Sequence, residues 1–183
     1  MTTSTTVNDN NTSVNESIST TTTNATVNLN NSSGDDTVTT DGSGTTTVNA
    51  NNSIGDDLIK IQNASSATVN LNNSTGNDDV YISGGALSAT VNDNNSGVTG
   101  GVDIIAITGT AVNATVNLNN SLGDDKVTIA GSASTTATVN LNNSGGNDTV
   151  TVGSATGTTN ATINLNSSGG TDIISCFAGG NPI

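Results

Sequence analysis

The sequence predicts an all-β chain, a single-domain parallel β-solenoid of about eight coils of 20–25 residues with two short strands per coil. Three observations predict it. A TVNDNN-like segment begins at Thr6 and returns at Thr26, Thr47, Thr68, Thr90, Thr115, Thr138 and Thr162, always 20 to 25 residues on. Both arms of each unit alternate apolar and polar residues with the period of 2 that belongs to strands. The composition of 34 Thr, 31 Asn, 22 Ser and 21 Gly among 183 residues, with one Phe, one Tyr and no Trp, leaves only a thin aliphatic core.

Each element of the unit follows from its spacing. In the first arm, TVNLN, Val27 and Leu29 share one face. In the second arm Val38 and Thr40 share a face, as do Ile59/Ile61, Val80/Ile82, Ile105/Ile107, Val127/Ile129 and Val150/Val152 in later coils. A Gly-x-Asp turn joins the arms, at Gly34/Asp36, Gly55/Asp57, Gly76/Asp78, Gly101/Asp103, Gly123/Asp125, Gly146/Asp148 and Gly170/Asp172. Ten residues separate Thr from Asp in six of these seven coils, and the exception, Thr90 to Asp103, carries an inserted GVT. That turn is tightly specified. From the Asp to the next Thr the count runs 11, 11, 12, 12, 13 and 14, which predicts a loose loop on the opposite side. One coil buries too few side chains to offset the entropy of ordering about 21 residues, so stacking has to supply the remainder.

Two Lys and 15 acidic residues give a net charge of −13, which argues against nucleic acid and against an anionic membrane as partners. A cation is the natural counterpart. No His and a single Cys exclude zinc fingers, Ser-His-Asp and Cys-His catalysis and an intrachain disulfide framework. The acidic groups are alike, regularly spaced and without a base or nucleophile beside them, so the expected function is non-enzymatic. The first ten residues hold no basic segment or apolar run, so neither an N-terminal signal peptide nor a membrane-inserting segment is expected there.

Two Asn columns face away from the Val/Leu pair. One holds Asn8, Asn28, Asn49, Asn70, Asn92, Asn117, Asn140 and Asn164; the other starts at Asn10, Asn30 and Asn51. Stacked carboxamides can bond along the rod, so reinforcement of the coil ladder is the expected role, with a regular binding face as the functional alternative. Asp9 and Asp93 stand where other coils have Leu or Ala. An inward unpaired carboxylate is unfavourable, so either solvent reaches these positions or the inner face is loose at the coil edge. In the Gly-x-Asp turn, Gly supplies a positive φ and Asp caps the turn, while stacking brings seven Asp into a column, with Asp35, Asp56 and Asp124 beside it. Mutual repulsion along that column would be relieved by a hard cation.

The segments NSSGDDTVT, NSIGDDLIK, NSTGNDDVY, NSLGDDKVT and NSGGNDTVT resemble the RTX, hemolysin-type nonapeptide G-G-x-G-x-D-x-U-x, with Asn-Ser replacing the leading Gly pair. The resemblance covers about nine residues in each of seven coils, roughly a third of the chain. It implies a β-roll-like fold with calcium held between adjacent coils, and its matching ligands are Asp36, Asp57, Asp78, Asp103, Asp125, Asp148 and Asp172. The family repeats its motif on both sides of each coil, whereas TVNLN lacks it, and loss of the Gly pair removes turn carbonyls from the ligand set.

Residues 1–20 read as a degenerate first coil, cap or assembly segment, with Val14 and Glu16 at the Gly and Asp positions; 21–175 are the repeats, and 176–183 a C-terminal tail open to a cap, an export signal or a subunit contact. Cys176 aligns with Ile129 and Val152 and is expected to be a core thiol. Only nine residues follow Ile174, too few for a helical cap, and open strand edges recruit further strands. Asn-, Thr- and Ser-rich solenoids of this kind resemble matrix, surface-layer and fibril subunits. The expectation is therefore an extracellular or cell-surface homopolymer, stacked head to tail with Val7 and Ile18 of one copy continuing Ile163 and Ile174 of the next. The alternatives are an ice-binding or adhesin-type rod presenting a Thr/Asn face and a free-standing calcium-binding module. The position ahead of each turn Gly, reading Ser33, Ile54, Thr75, Gly100, Leu122, Gly145 and Gly169, lacks the uniform Thr of an RTX-type ice binder.

Overall fold

The computed structural model describes residues 2–94 and 101–178, and every strand pair in it is parallel. The GVT insertion at 97–99, Gly100 and residues 179–183 lie outside the described residues. Coils 1 to 3 each hold two strands: β1 (Ser4–Asn8) and β2 (Ser17–Thr20), β3 (Asn24–Asn28) and β4 (Thr37–Asp41), β5 (Thr45–Asn49) and β6 (Leu58–Gln62). Coil 4 opens with β7 (Ser66–Asn70). Then β8 (Asp79–Asn92), β9 (Ile104–Asn117) and β10 (Lys126–Asn140) each run from the second arm of one coil into the first arm of the next. Coils 7 and 8 close with β11 (Thr149–Ser154), β12 (Thr159–Asn164) and β13 (Ile173–Phe177). The result is one 13-stranded sheet wound into eight coils.

Register is strict. Like stacks on like: Val7 on Val27, Val48 on Val69, Val91 on Val116 and Val139 on Ile163 in the first arms. In the second arms Ile18 meets Val38, Ile59 meets Val80 and Val152 meets Cys176. The inward columns are buried as the alternation requires, with Val27, Leu29, Ile61, Ile82, Leu118 and Leu141 at most 1% exposed. A further inward column, Ala25, Ala67, Ala89, Ala114 and Ala137, lies two residues before each Val.

Three expectations are corrected. The Asp-to-Thr connection is a loop in the early coils and again at residues 155–158, between β11 and β12; β8, β9 and β10 carry paired strand through it, with Ser83 on Thr108 and Leu87 on Val112. The longer connections reach inward with Leu87 and Val112, both 3% exposed, and so gain a third buried column. Cys176 occupies its predicted register against Val152 but is exposed, because among the described residues nothing stacks on the outer side of coil 8. Asp93 is inward and dry at 0% exposure, between Leu71 and Leu118 in the column, so neither solvent access nor a loose edge accounts for it.

Residues 1–20 form a coil in register, since β1 and β2 pair with β3 and β4. The last coil extends through Phe177, two residues past the expected boundary of the repeats.

The core column is the test of this packing. Leu118→Ala is expected to destabilise the fold by about 2–5 kcal/mol, the range for buried Leu truncation, whereas Leu122→Ala at an exposed turn position should stay within about 0.5 kcal/mol. Denaturant titration of both variants gives the answer; equal effects would contradict the inward assignment.

Candidate functional site

Polar side chains build continuous columns along the rod. The first Asn ladder is unbroken from coil 1 to coil 8: each Nδ2 donates to Oδ1 of the Asn in the preceding coil, from Asn28 to Asn8 (2.6 Å) through Asn49, Asn70, Asn92, Asn117 and Asn140 to Asn164, which donates to Asn140 (2.6 Å). The second column repeats this pattern at 2.6–3.0 Å from Asn10 to Asn166. Because every coil sets its carboxamide at the same height and angle, each amide finds an identical partner one coil away.

A third Asn column went unnoticed in the sequence. Asn11, Asn31, Asn52, Asn73, Asn120 and Asn143 sit in the left-handed region with φ of 57–63°, where Asn is tolerated better than most non-Gly residues. Their side chains pair at 3.0–3.3 Å, for instance Asn31 to Asn11 and Asn143 to Asn120. The second Asn of each N-N pair was the available signal.

The Asp column lies inside. Asp36, Asp57, Asp78, Asp103, Asp125 and Asp148 are 1–2% exposed. Each Oδ1 accepts the backbone N–H of the corresponding residue in the preceding coil, from Glu16 N–H onto Asp36 to Asp148 N–H onto Asp172, at 2.8–3.1 Å. Oδ2 of Asp36, Asp78, Asp148 and Asp172 accepts a hydroxyl from Ser32, Ser74, Ser144 and Ser168 at 2.6–2.7 Å. In the NS-x-G-x-D segment, the Ser therefore serves the Asp four residues on. Asp57 Oδ2 and Asp125 Oδ2, with Ser53 and Ser121 beside them, make no hydrogen bond.

Just outside runs a column of opposite polarity. Here the side chain of one coil accepts the backbone N–H of the next: Asp35 Oδ1 from Asp56 N–H, Asp56 from Asn77, Asn77 from Val102, and Asp124 from Asn147. The turn glycines permit this closeness. A Cβ at Gly76 or Gly146 would run into the carbonyl oxygen of Gly55 or Gly123 in the preceding coil, and both glycines have positive φ.

The seven aspartates that the RTX likeness implies as calcium ligands are thus aligned, and their oxygens are engaged by amides and hydroxyls. Among the described residues no group of three or more His, Cys, Asp or Glu side chains converges to hold a metal ion. A cation entering the column would have to displace hydrogen bonds already made by amides and hydroxyls.

Burial dominates the titration of this column. It pushes Asp57 up to about 6 and Asp78 and Asp125 up to about 7, against the opposing pull of the backbone amides and, at Asp78, of the Ser74 hydroxyl. Burial also raises Asp103 and Asp148. Asp93 is held well above the carboxylate range by burial first and by the Asp103 charge second. Its two oxygens make no hydrogen bond.

Fold and columns together define a β-solenoid whose interior sets columns of carboxylate and hydroxyl beside a larger aliphatic core. No protein-family model, curated protein or solved structure matches the chain.

Raised carboxylates in the folded state hold protons that the unfolded chain, with acids near about 4, has released between about pH 4 and 7. Stability is therefore fully present below that window and declines as pH rises through it. In EDTA the melting temperature should climb by more than about 2–4 °C, the shift of one kcal/mol at this size, on going from pH 8 to pH 4.5. Added Ca²⁺ at pH 8 should leave it unchanged; a calcium-dependent rise there would return the cation to the column.

Proposed function

We propose that this chain is a non-enzymatic structural subunit, stacking head to tail into an extracellular or cell-surface filament or matrix. One observation carries the reading: the ladders run through all eight coils and reach both end coils uncovered among the described residues. In coil 8 Ile174, 40% exposed, leaves the inward column of Val127 and Val150 open, and Ile163 is only partly buried against the core. At the other end Val7 and Ile18 occupy the same columns in coil 1. Matching one open end with the other gives Ile163 against Val7 and Ile174 against Ile18, a step no different from those between internal coils. Such a contact does not close on itself, so symmetry favours a fibre over a dimer.

A second reading, a ligand-binding face of the ice-binding or adhesin type, is favoured by one specific observation. Thr6, Thr26, Thr47, Thr68, Thr90, Thr115, Thr138 and Thr162 stand in register, one per coil, on the outer side of the first arms. Electron microscopy of concentrated protein separates the two. Unbranched filaments with a repeat of about 4.8 Å per coil support the structural reading. Monomers alone at all concentrations would overturn it in favour of the Thr/Asn face.

A further inference from the structure

The polarity of the ladders says more about the partner than exposure does. In both Asn columns the later coil donates and the earlier coil accepts. Asn8 and Asn10 have therefore spent their acceptors on Asn28 and Asn30 and keep their Nδ2 donors, which make no hydrogen bond among the described residues. At the other end Asn164 and Asn166 have spent their donors on Asn140 and Asn142 and keep Oδ1 as acceptors. The Asp column runs the other way. There the earlier coil's backbone N–H donates to the later coil's carboxylate, so Asp172 N–H is left as a donor at the end where the Asn columns leave acceptors. Glu16 stands at the Asp position of coil 1, partly exposed, and donates its own N–H to Asp36.

We infer, building on the filament reading above, that a second copy of this chain binds in one sense and one register only, with Asn8 and Asn10 donating to Asn164 and Asn166 of the preceding copy and the Glu16 carboxylate accepting the Asp172 N–H of that copy. The two reversed arrangements fail on chemistry. Head against head opposes Nδ2 donors with Nδ2 donors; tail against tail opposes Oδ1 with Oδ1. Each leaves polar groups unpaired as water is excluded. Head to tail meets donor with acceptor in all three columns. Coil 5 rehearses this step within the chain: Thr90–Asn94 repeats the TVNDN of Thr6–Asn10, and it stacks in register on the TVNLN of coil 4. The junction stacks TVNDN on the TINLN of coil 8 in the same way.

The directionality supplies a selective test. The double variant Asn8→Asp, Asn10→Asp keeps the oxygens that accept from Asn28 and Asn30 and replaces the outward N–H donors with carboxylate oxygens, which oppose the Oδ1 acceptors of Asn164 and Asn166. A second variant, Glu16→Ala, removes the carboxylate while its backbone bond to Asp36 persists. Each should keep the wild-type circular dichroism and sediment as monomer under conditions where wild type forms filaments, with the critical concentration raised at least about tenfold, the factor for 1.4 kcal/mol. If wild type polymerises and either folded variant polymerises at the same concentration, the assigned junction is wrong and the filament reading stands. If wild type itself stays monomeric, the filament reading fails and the junction with it.

Discussion

In-register parallel stacking is the constraint on which every other feature of this chain depends. A buried carboxylate column in a thin solenoid would be strongly unfavourable if each Asp stood alone. Here each carboxylate lies over the backbone amide of the equivalent residue one coil earlier, and in four coils also takes a Ser hydroxyl four residues upstream. Both bonds exist only because coil follows coil at constant height. Shift one coil by a residue and the Val, Asn and Asp columns all lose their partners together, since a one-residue slip sends every side chain to the other face. The near-identity of the repeats is thus a geometric requirement, and the two adjacent turn columns of opposite polarity fix it twice over.

Much of this was legible in the sequence, because period-2 alternation and a 20–25-residue recurrence are set by strand geometry alone. The Val, Leu and Ile columns, the first two Asn ladders and the alignment of the seven Asp follow from spacing. What spacing does not report is direction. The Gly-x-Asp turn reads equally as a surface calcium turn and as an inward cap, and only the coordinates show the carboxylates buried on backbone amides. The third Asn column depends on a left-handed backbone at the second residue of each N-N pair, a conformation that leaves no periodic signature. Likewise the variable connection between Asp and Thr looked like a tolerant loop because its length drifts; its added residues include Leu87 and Val112, which turn inward and draw the strands through. Asp93 and Cys176 show the limit of column reasoning. Register was right for both, but burial depends on what stacks above: Asp93 is sealed by coils on either side, while Cys176 lies on the last described coil.

A chain so organised has most of its polar chemistry directed at itself. Its carboxamides and carboxylates are paired along the rod, and its net charge of −13 rests on side chains largely tied into the turns. The two ends of the described rod carry complementary halves of the Asn ladders. That complementarity is what supports the proposed self-assembly over recognition of a dissimilar partner along the side.

The amide-to-carboxylate relay is the most direct point of attack. The backbone N–H groups of Asp57, Asp78, Asp103 and Asp125 each donate to the aspartate one coil on. Native-state hydrogen exchange followed by NMR should find these four turn amides protected to nearly the global stability of the fold, alongside the core strands. Exchange at the rate of an exposed loop would mean the carboxylates face solvent, and the account of a stacked, polar-cored solenoid would be contradicted at its centre.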